Sequence, residues 1–405
     1  MRSIDPSLPD LRIMGRRLQE ARKARGLTQQ EAAARLNLAR TTLVAIEKGE
    51  RRVQPDELIQ FSDIYDRSVS ELLRHTKPVE GFAAHFRQAP TSSNVSQSEI
   101  EAASSELQRL CEDYLELEQI RNAPMSRKYP TEYQIGAADA DAEDVAVVER
   151  NRLGLGDGPL LNLREILELD VGIRIFTMDL PSRVAAMFAH SDQLGACIAV
   201  NRKHPEERRR MSLAHDYGHF LTSRYQPVLD LVGGYQRLPE SERFAETFAR
   251  AFLMPATGLS RRLNDLRRSQ DGTVTPADLC RLAHVYCVSV EAMTLRLEEL
   301  RLLKTGTWDR LRLSGFRVRE AQQLLDLTPH PSSDEMLPLR YRYLAAAAYE
   351  DGALSEGQLA RFLRVDRLEA RRIVDELSMY QDISDEGVVH TQTLNLGAPL
   401  SQRTE

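Results

Sequence analysis

A chain of 405 residues with 42% hydrophobic and 28% charged residues and a net charge of −6 has the composition of a soluble protein, long enough for two to four separately cored domains. Cys111, Cys197, Cys280 and Cys287 are scattered without a disulfide-like framework, no run approaches the ~18 uninterrupted apolar residues of a membrane span, and the amino terminus has no apolar signal segment. These features exclude a disulfide-stapled or membrane-spanning class and point to a reducing, cytoplasmic setting.

Residues 11–73 read as a compact all-helical unit. A first amphipathic helix carries Ile13, Met14, Leu18 and Ala21; Thr28 is a natural N-cap for a second helix, with Glu31 three residues on completing a capping box. The turn Asn37-Leu38-Ala39 leads to a third helix from Arg40 through Ile46, closed by Lys48-Gly49 as a glycine C-cap. This is helix-turn-helix spacing, and residues 11–52 hold eleven Lys and Arg against four Glu, so +7 lies in this segment and −13 elsewhere. The pattern resembles the Cro/C1-type (XRE) repressor domain. The resemblance implies double-stranded DNA as partner, Gln29 on the phosphate backbone, and Arg40, Thr41, Val44 and Ala45 toward base edges. It also implies that Arg22 and Glu47 tie the first helix to the third, and that two copies cover two half-sites, making a homodimer. The bland alternative is a helical module used only for protein contacts, with a solvated basic face.

Residues 74–140 are expected to be linker and bridging helix: Thr76 to about Asn94 is rich in Pro, Ser and Thr, and 98–121 shows helical periodicity through Ile100, Leu107, Leu110, Tyr114 and Leu117. From 141 to 305 the pattern changes to α+β. Helices flank the glycine-rich 154–159 stretch, and strand-like runs at 172–176, 185–189 and 197–200 suggest a small sheet. Residues 196–201 are the expected edge strand that accepts a substrate backbone.

Within this region His215 and His219 stand four residues apart on an apolar, helix-compatible run, so both imidazoles share one helix face. Glu242 begins a second helix, stopped at Leu253-Met254-Pro255, and would supply a third ligand, leaving one coordination position open as in a hydrolytic zinc centre. The bland alternative is a pair of histidines lining a core. The run Arg210-Met211-Ser212-Leu213-Ala214-His215-Asp216-Tyr217-Gly218-His219, followed by Glu242-x-x-Ala245-x-x-Phe248-Ala249 and Leu253-Met254-Pro255, resembles the ImmA/IrrE family of metallo-endopeptidases. That resemblance implies Zn2+, with Mn2+ as the substitute, bound by His215, His219 and Glu242. It implies further that Glu246 orients a ligand and that the protein substrate is a repressor. Asp216 stands where the family usually has the glutamate that takes a proton from the attacking water, and its carboxylate stops one methylene short, roughly 1.3–1.5 Å. This departure bears on proteolysis and not on the fold.

Cys280, His284 and Cys287 recur at helical spacing, but their apolar neighbours mark a core helix rather than a second metal site. Residues 306–390 are expected to be a helical, winged-helix-like domain, with 354–360, a turn at Val365-Asp366 and a further helix spaced like a second helix-turn-helix. Arg361, Arg364, Arg367, Arg371 and Arg372 are offset there by Asp366, Glu369, Asp375 and Glu376, which favours protein contact or sensing over DNA reading. The tail, 391–405, is expected to fray.

The fold class is therefore mainly α: an N-terminal helix-turn-helix, a central α+β zincin-like domain with a small sheet, and a helical C-terminal region. Two functions fit. One is a DNA-binding transcriptional regulator with a zinc-dependent endopeptidase-like domain that cleaves a repressor or regulatory protein. The other is a transcription factor whose degenerate metallopeptidase domain senses a metal or ligand without proteolysis.

Overall fold

The computed structural model describes residues 11–65, 67, 69–73, 82, 86, 95–231, 239–269, 273–328, 330, 335–383 and 389–393. The chain divides into two compact units, residues 1–108 with 191–194, and residues 109–190 with 195–405.

The first unit contains α1 (Leu11–Ala24), α2 (Gln29–Arg35), α3 (Arg40–Glu47), α4 (Pro55–Tyr65) and α5 (Val69–Leu72). Both halves of the Thr28/Glu31 capping box form, so α2 starts where the sequence places it. Met14, Leu18, Ala32, Ala33, Leu43, Ile46, Phe61 and Tyr65 make one core, each contributed by the apolar stripe of its helix. Gly49 ends α3 at φ +73°, where an added Cβ would lie 2.7 Å from the Arg12 Cα; only glycine suits both the left-handed turn and the approach of α1. Most of the expected linker, Thr76 to Asn94, lies outside the described residues.

Helix α6 (Gln97–Ile120) is continuous, with Ile100, Leu107, Leu110, Tyr114 and Leu117 all buried as their spacing requires. Its residues from 109 onward belong to the second unit. There follow α7 (Ala138–Arg152), the short α8 (Leu163–Ile166) with a π-helical turn to Val171, and the strands β1 (Arg174–Met178), β2 (Val184–Ser191) and β3 (Gly195–Asn201). Next come α9 (Glu206–Ser223), β4 (Val228–Leu231) and α10 (Glu240–Leu253). The sheet order is β1-β3-β2-β4, with β1 parallel to β3 and β2 antiparallel to β4. One sequence expectation is corrected here. Residues 196–201 form β3, an interior strand buried at every position, and the end strands of the sheet are β1 and β4. The all-apolar run Ala196-Cys197-Ile198-Ala199-Val200 is the pattern of a strand covered on both faces, not of an edge.

The core of this unit joins the sheet to α7, α9 and α10 through Ile175, Phe188, Ile198, Tyr217, Phe220, Phe248 and Phe252. Around it lie α11 (Ala256–Ser269), α12 (Pro276–Tyr286), α13 (Val290–Glu299), α14 (Thr307–Leu313) and α15 (Val318–Leu324). Cys280 and Cys287 are buried in that core, and His284 stacks on His330 with ring centroids 4.2 Å apart.

Helices α16 (Leu339–Glu350), α17 (Glu356–Leu363) and α18 (Arg367–Ser378) are followed by an antiparallel hairpin, β5 (Met379–Ile383) with β6 (Val389–Thr393): the element order of a winged helix. Residues 391–393, expected to fray, are part of β6, because the β-branched alternation Val389, Thr391, Thr393 finds a pairing strand. Residues 394–405 lie outside the described residues. The arginines of this region are paired partly within it, Arg371 with Glu356 and Arg372 with both Glu369 and Glu376, and partly with α6, Arg361 with Glu116 and Arg364 with Asp113. Among the described residues no helix is long and apolar enough to cross a membrane.

Candidate metal centre and DNA-reading helix

Helix α9 carries His215 and His219 on one face, with Nε2 atoms 3.1 Å apart and ring centroids 4.7 Å apart at 72°. Glu242, in the first turn of α10, places Oε2 3.3 Å from the His215 Nε2 and Oε1 3.4 Å from the His219 Nε2. What brings the two helices so close is Gly218, whose Cα faces Ala245: an added Cβ would lie 3.1 Å from the Ala245 Cα and 3.2 Å from the Phe248 Cδ1. On α10 the positions Glu242, Ala245 and Ala249 share a face, with the two alanines buried. Stacked Phe248 and Phe252, ring centroids 5.2 Å apart, anchor that helix in the core. From the opposite side of α9, the Tyr217 hydroxyl donates to the fully buried Glu149 at 2.6 Å, and Glu149 also accepts from Tyr133 at 3.0 Å and Arg152 at 2.8 Å. The metal-side face is thereby held by hydrogen bonds from behind.

Donor chemistry and spacing fit a divalent cation. Bonds of ~2.0–2.1 Å in a tetrahedron give donor-to-donor edges of about 3.3 Å; the three edges here are 3.1, 3.3 and 3.4 Å. Among the described residues this is the group of His, Cys, Asp and Glu able to hold an ion.

The electrostatics reflect three acidic groups around two imidazoles. Burial works against a charged His215, but its hydrogen bond to Glu242 and the charges of Asp230 and Asp216 outweigh that and push it up to about 9. His219 is shifted down, by burial first and the neighbouring His215 as well, against Glu242. Burial opposes a charged Glu242 too, yet hydrogen bonds to both histidines hold it far below the ordinary carboxylate range.

Asp216 is fully buried on α9, and neither of its carboxylate oxygens meets a hydrogen-bond donor among the described residues. Burial first, then the charge of Asp230, raise its pKa well above the usual carboxylate value. An orphaned buried carboxylate beside three convergent donors is what a site built to receive further polar partners presents.

Two differences from the sequence reading emerge. Glu246 is not drawn to the histidines: it lies one turn along α10 from Glu242, 43% of its side chain is exposed, and it reaches Arg250 at 3.8 Å. The position to which the resemblance gives a ligand-orienting role instead has a cationic neighbour four residues further along the same helix. Conversely, Asp230 on β4 acts electrostatically on His215, His219 and Asp216. Its isolation in the sequence offered no signal, since only the sheet brings it there.

In the first unit Arg40 and Thr41 are exposed in the first turn of α3, with Val44 and Ala45 half-buried one turn on. Arg22 donates to Glu47 at 2.6 and 3.2 Å and to the Leu27 carbonyl at 2.7 Å, clamping α1 to α3 and to the turn before α2. Gln29 donates its amide to the same Glu47 at 2.9 Å, so the side chain expected at the phosphate backbone is also the third member of this clamp.

Residues 18–72 match the helix-turn-helix family model and residues 169–298 that of the IrrE N-terminal-like domain. The chain thus joins an XRE-type helix-turn-helix domain to an ImmA/IrrE-type domain. A similar curated protein is the HTH-type transcriptional regulator ImmR of Bacillus subtilis (strain 168), 40% identical over 60 residues, which are 15% of this chain and 47% of that protein. The chain therefore spans about half the length of the curated relative it matches. Among solved structures, a Mycobacterium tuberculosis transcriptional regulator is 20% identical over 46% of this chain and 52% of that one, with a TM-score of 0.27. ComR from Streptococcus suis is 10% identical over 90% and 87%, with a TM-score of 0.15. Scores this low have no bearing on the fold.

Proposed function

We propose that this protein is a DNA-binding transcriptional regulator whose ImmA/IrrE-type domain binds Zn2+ and hydrolyses a peptide bond in a repressor or other regulatory protein. The observation that supports it most is the convergence of the His215, His219 and Glu242 donor atoms at 3.1–3.4 Å from two different helices. A bound zinc ion supplies Lewis-acid activation of water. Asp216, next to the first ligand, is the group that accepts the proton of the attacking water at its carboxylate and returns it to the leaving amine. Burial of its side chain keeps bulk water from that transfer.

The domain limits that go with this reading are 11–73 for DNA binding, 74–140 for linker and bridging helix, 141–305 for the metallopeptidase-like domain and 306–393 for a winged-helix-like domain that includes β6. On DNA, Gln29 meets the backbone while Arg40, Thr41, Val44 and Ala45 face base edges, in a homodimer covering two half-sites.

The second reading, a metal- or ligand-sensing regulator without proteolysis, is favoured by the side chain of Asp216, one methylene shorter than glutamate, since general-base contact requires ~2.6–3.2 Å between heavy atoms. The test that separates the two is cleavage of helix-turn-helix repressor proteins from the same genome, this chain included, by zinc-loaded protein. Asp216→Glu is expected to raise the rate by ten- to a hundredfold and Asp216→Ala to abolish it, within the ~10²–10⁴ that acid–base catalysis contributes. Stoichiometric zinc with no cleavage by wild type or Asp216→Glu supports the sensor, whereas purified protein that retains neither zinc nor manganese removes the peptidase and the metal sensor together.

A further inference from the structure

We propose that Asp230 is the specificity residue of the metal site and selects a Lys or Arg side chain beside the scissile bond of the substrate. The inference rests on the peptidase reading above and names the substrate class for that site.

Three observations carry it. The first is register. Across the β2–β4 pair, Val228 lies opposite Phe188, Leu229 opposite Met187 and Asp230 opposite Ala186. Cross-strand partners point to the same face of a sheet. Phe188 and Ala186 belong to the core built on α9, and the Phe188 ring lies 6.3 Å from Phe220 of that helix. Asp230 is therefore on the face turned toward the metal helix, not toward the outer surface.

The second is the position of β4. It is one of the two end strands of the order β1-β3-β2-β4, and among the described residues no strand pairs with its far edge, which can add an extended peptide by backbone pairing. A peptide paired there runs past the metal site with alternate side chains toward α9, within reach of Asp230.

The third is the electrostatic environment. Asp230 acts on both histidines and is the strongest charge on Asp216. Glu242 is committed to the histidines and Asp216 is buried with both oxygens orphaned. Asp230, by contrast, is only half-buried, and among the described residues no hydrogen bond or ion pair is made to its side chain. A half-buried carboxylate among other carboxylates favours a cationic partner, and a guanidinium or ammonium delivered by the substrate satisfies it.

The experiment uses the full chain loaded with zinc and a quenched-fluorescence peptide library in which one position at a time is fixed as Lys, Arg, Ala or Glu. Wild type is expected to favour Lys or Arg at one position flanking the cut by ten- to a hundredfold in kcat/KM over Glu, the range of a hydrogen bond between charged groups. Asp230→Asn should lose this preference chiefly through KM, Asp230→Glu should keep most of it, and Asp230→Lys should reverse it toward Glu. Zinc content is measured on each variant, so that loss of the site is not mistaken for loss of selectivity. A basic preference that persists in Asp230→Asn and Asp230→Lys, or no charge preference in wild type, overturns the proposal. If wild type cleaves no peptide, the peptidase reading falls, and fluorescence anisotropy of the same peptides decides separately. Lys peptides binding zinc-loaded wild type more tightly than Asp230→Asn support selection by Asp230, and equal binding refutes it.

Discussion

Replacing Gly218 with alanine tests whether the closeness of α9 and α10 sets metal affinity. The added Cβ would sit 3.1 Å from the Ala245 Cα and 3.2 Å from the Phe248 Cδ1. Carbon contacts settle at roughly 3.5–4.0 Å, so the helices must separate by about 0.4 Å. That movement stretches the two edges running from Glu242 to the histidines, 3.3 and 3.4 Å, while leaving the His215–His219 edge of 3.1 Å within one helix untouched. Metal sites tolerate distance errors of about 0.2 Å, so zinc affinity should fall about tenfold, or about 1.4 kcal/mol. Stability should change little, because overpacking of ~1 kcal/mol is offset by the 0.8–1.0 kcal/mol by which alanine outperforms glycine in a helix, both order-of-magnitude figures. Competition against a chromophoric chelator gives the zinc Kd, and thermal melts of the metal-free protein give the stability. A Kd within twofold of wild type, or a weaker Kd accompanied by a drop of many degrees in Tm, would refute helix spacing as the cause.

Glu47→Ala strands the Arg22 guanidinium, whose side chain is 8% exposed, and should cost ~3–5 kcal/mol, enough to unfold the first unit; circular dichroism of the variant checks this, and the double change Arg22→Met, Glu47→Leu should recover most of the loss. Arg40→Ala should weaken operator binding by ~1–3 kcal/mol in a gel-shift titration without altering the helical signal, and an unchanged Kd would remove Arg40 from the interface. Glu168 is pushed up to about 7 by burial, partly countered by the Tyr114 hydroxyl that donates to it at 2.6 Å. Because its folded pKa is raised, its stabilising contribution is complete below its ordinary value of 4.5 and is lost as pH rises through 7, up to about 3 kcal/mol. Urea unfolding between pH 5 and 8 should show wild type losing stability with rising pH while Glu168→Gln shows a flatter profile; parallel profiles would contradict this.

Local chemistry made much of the protein legible. The Thr28/Glu31 capping box, the helical periodicity of 98–121 and the four-residue spacing of His215 and His219 each depend on neighbours within one or two turns, and each appears where expected. The winged-helix-like order at the C-terminus was visible as helix and turn signals, but its hairpin was not, since a strand such as 389–393 is defined by the partner it pairs with.

What residues 11–73 and the His215–His219 helix would form was written in periodicity and caps, because helices satisfy their backbone hydrogen bonds internally and declare themselves over short windows. What only the tertiary structure decided is which distant groups meet: that 196–201 is an interior strand, that Glu246 turns to Arg250 rather than to the histidines, and that Asp230 on the outer strand joins Asp216 and Glu242 around the imidazoles. Strand order and helix approach depend on burying faces contributed by segments far apart in the chain, and no local window carries that information.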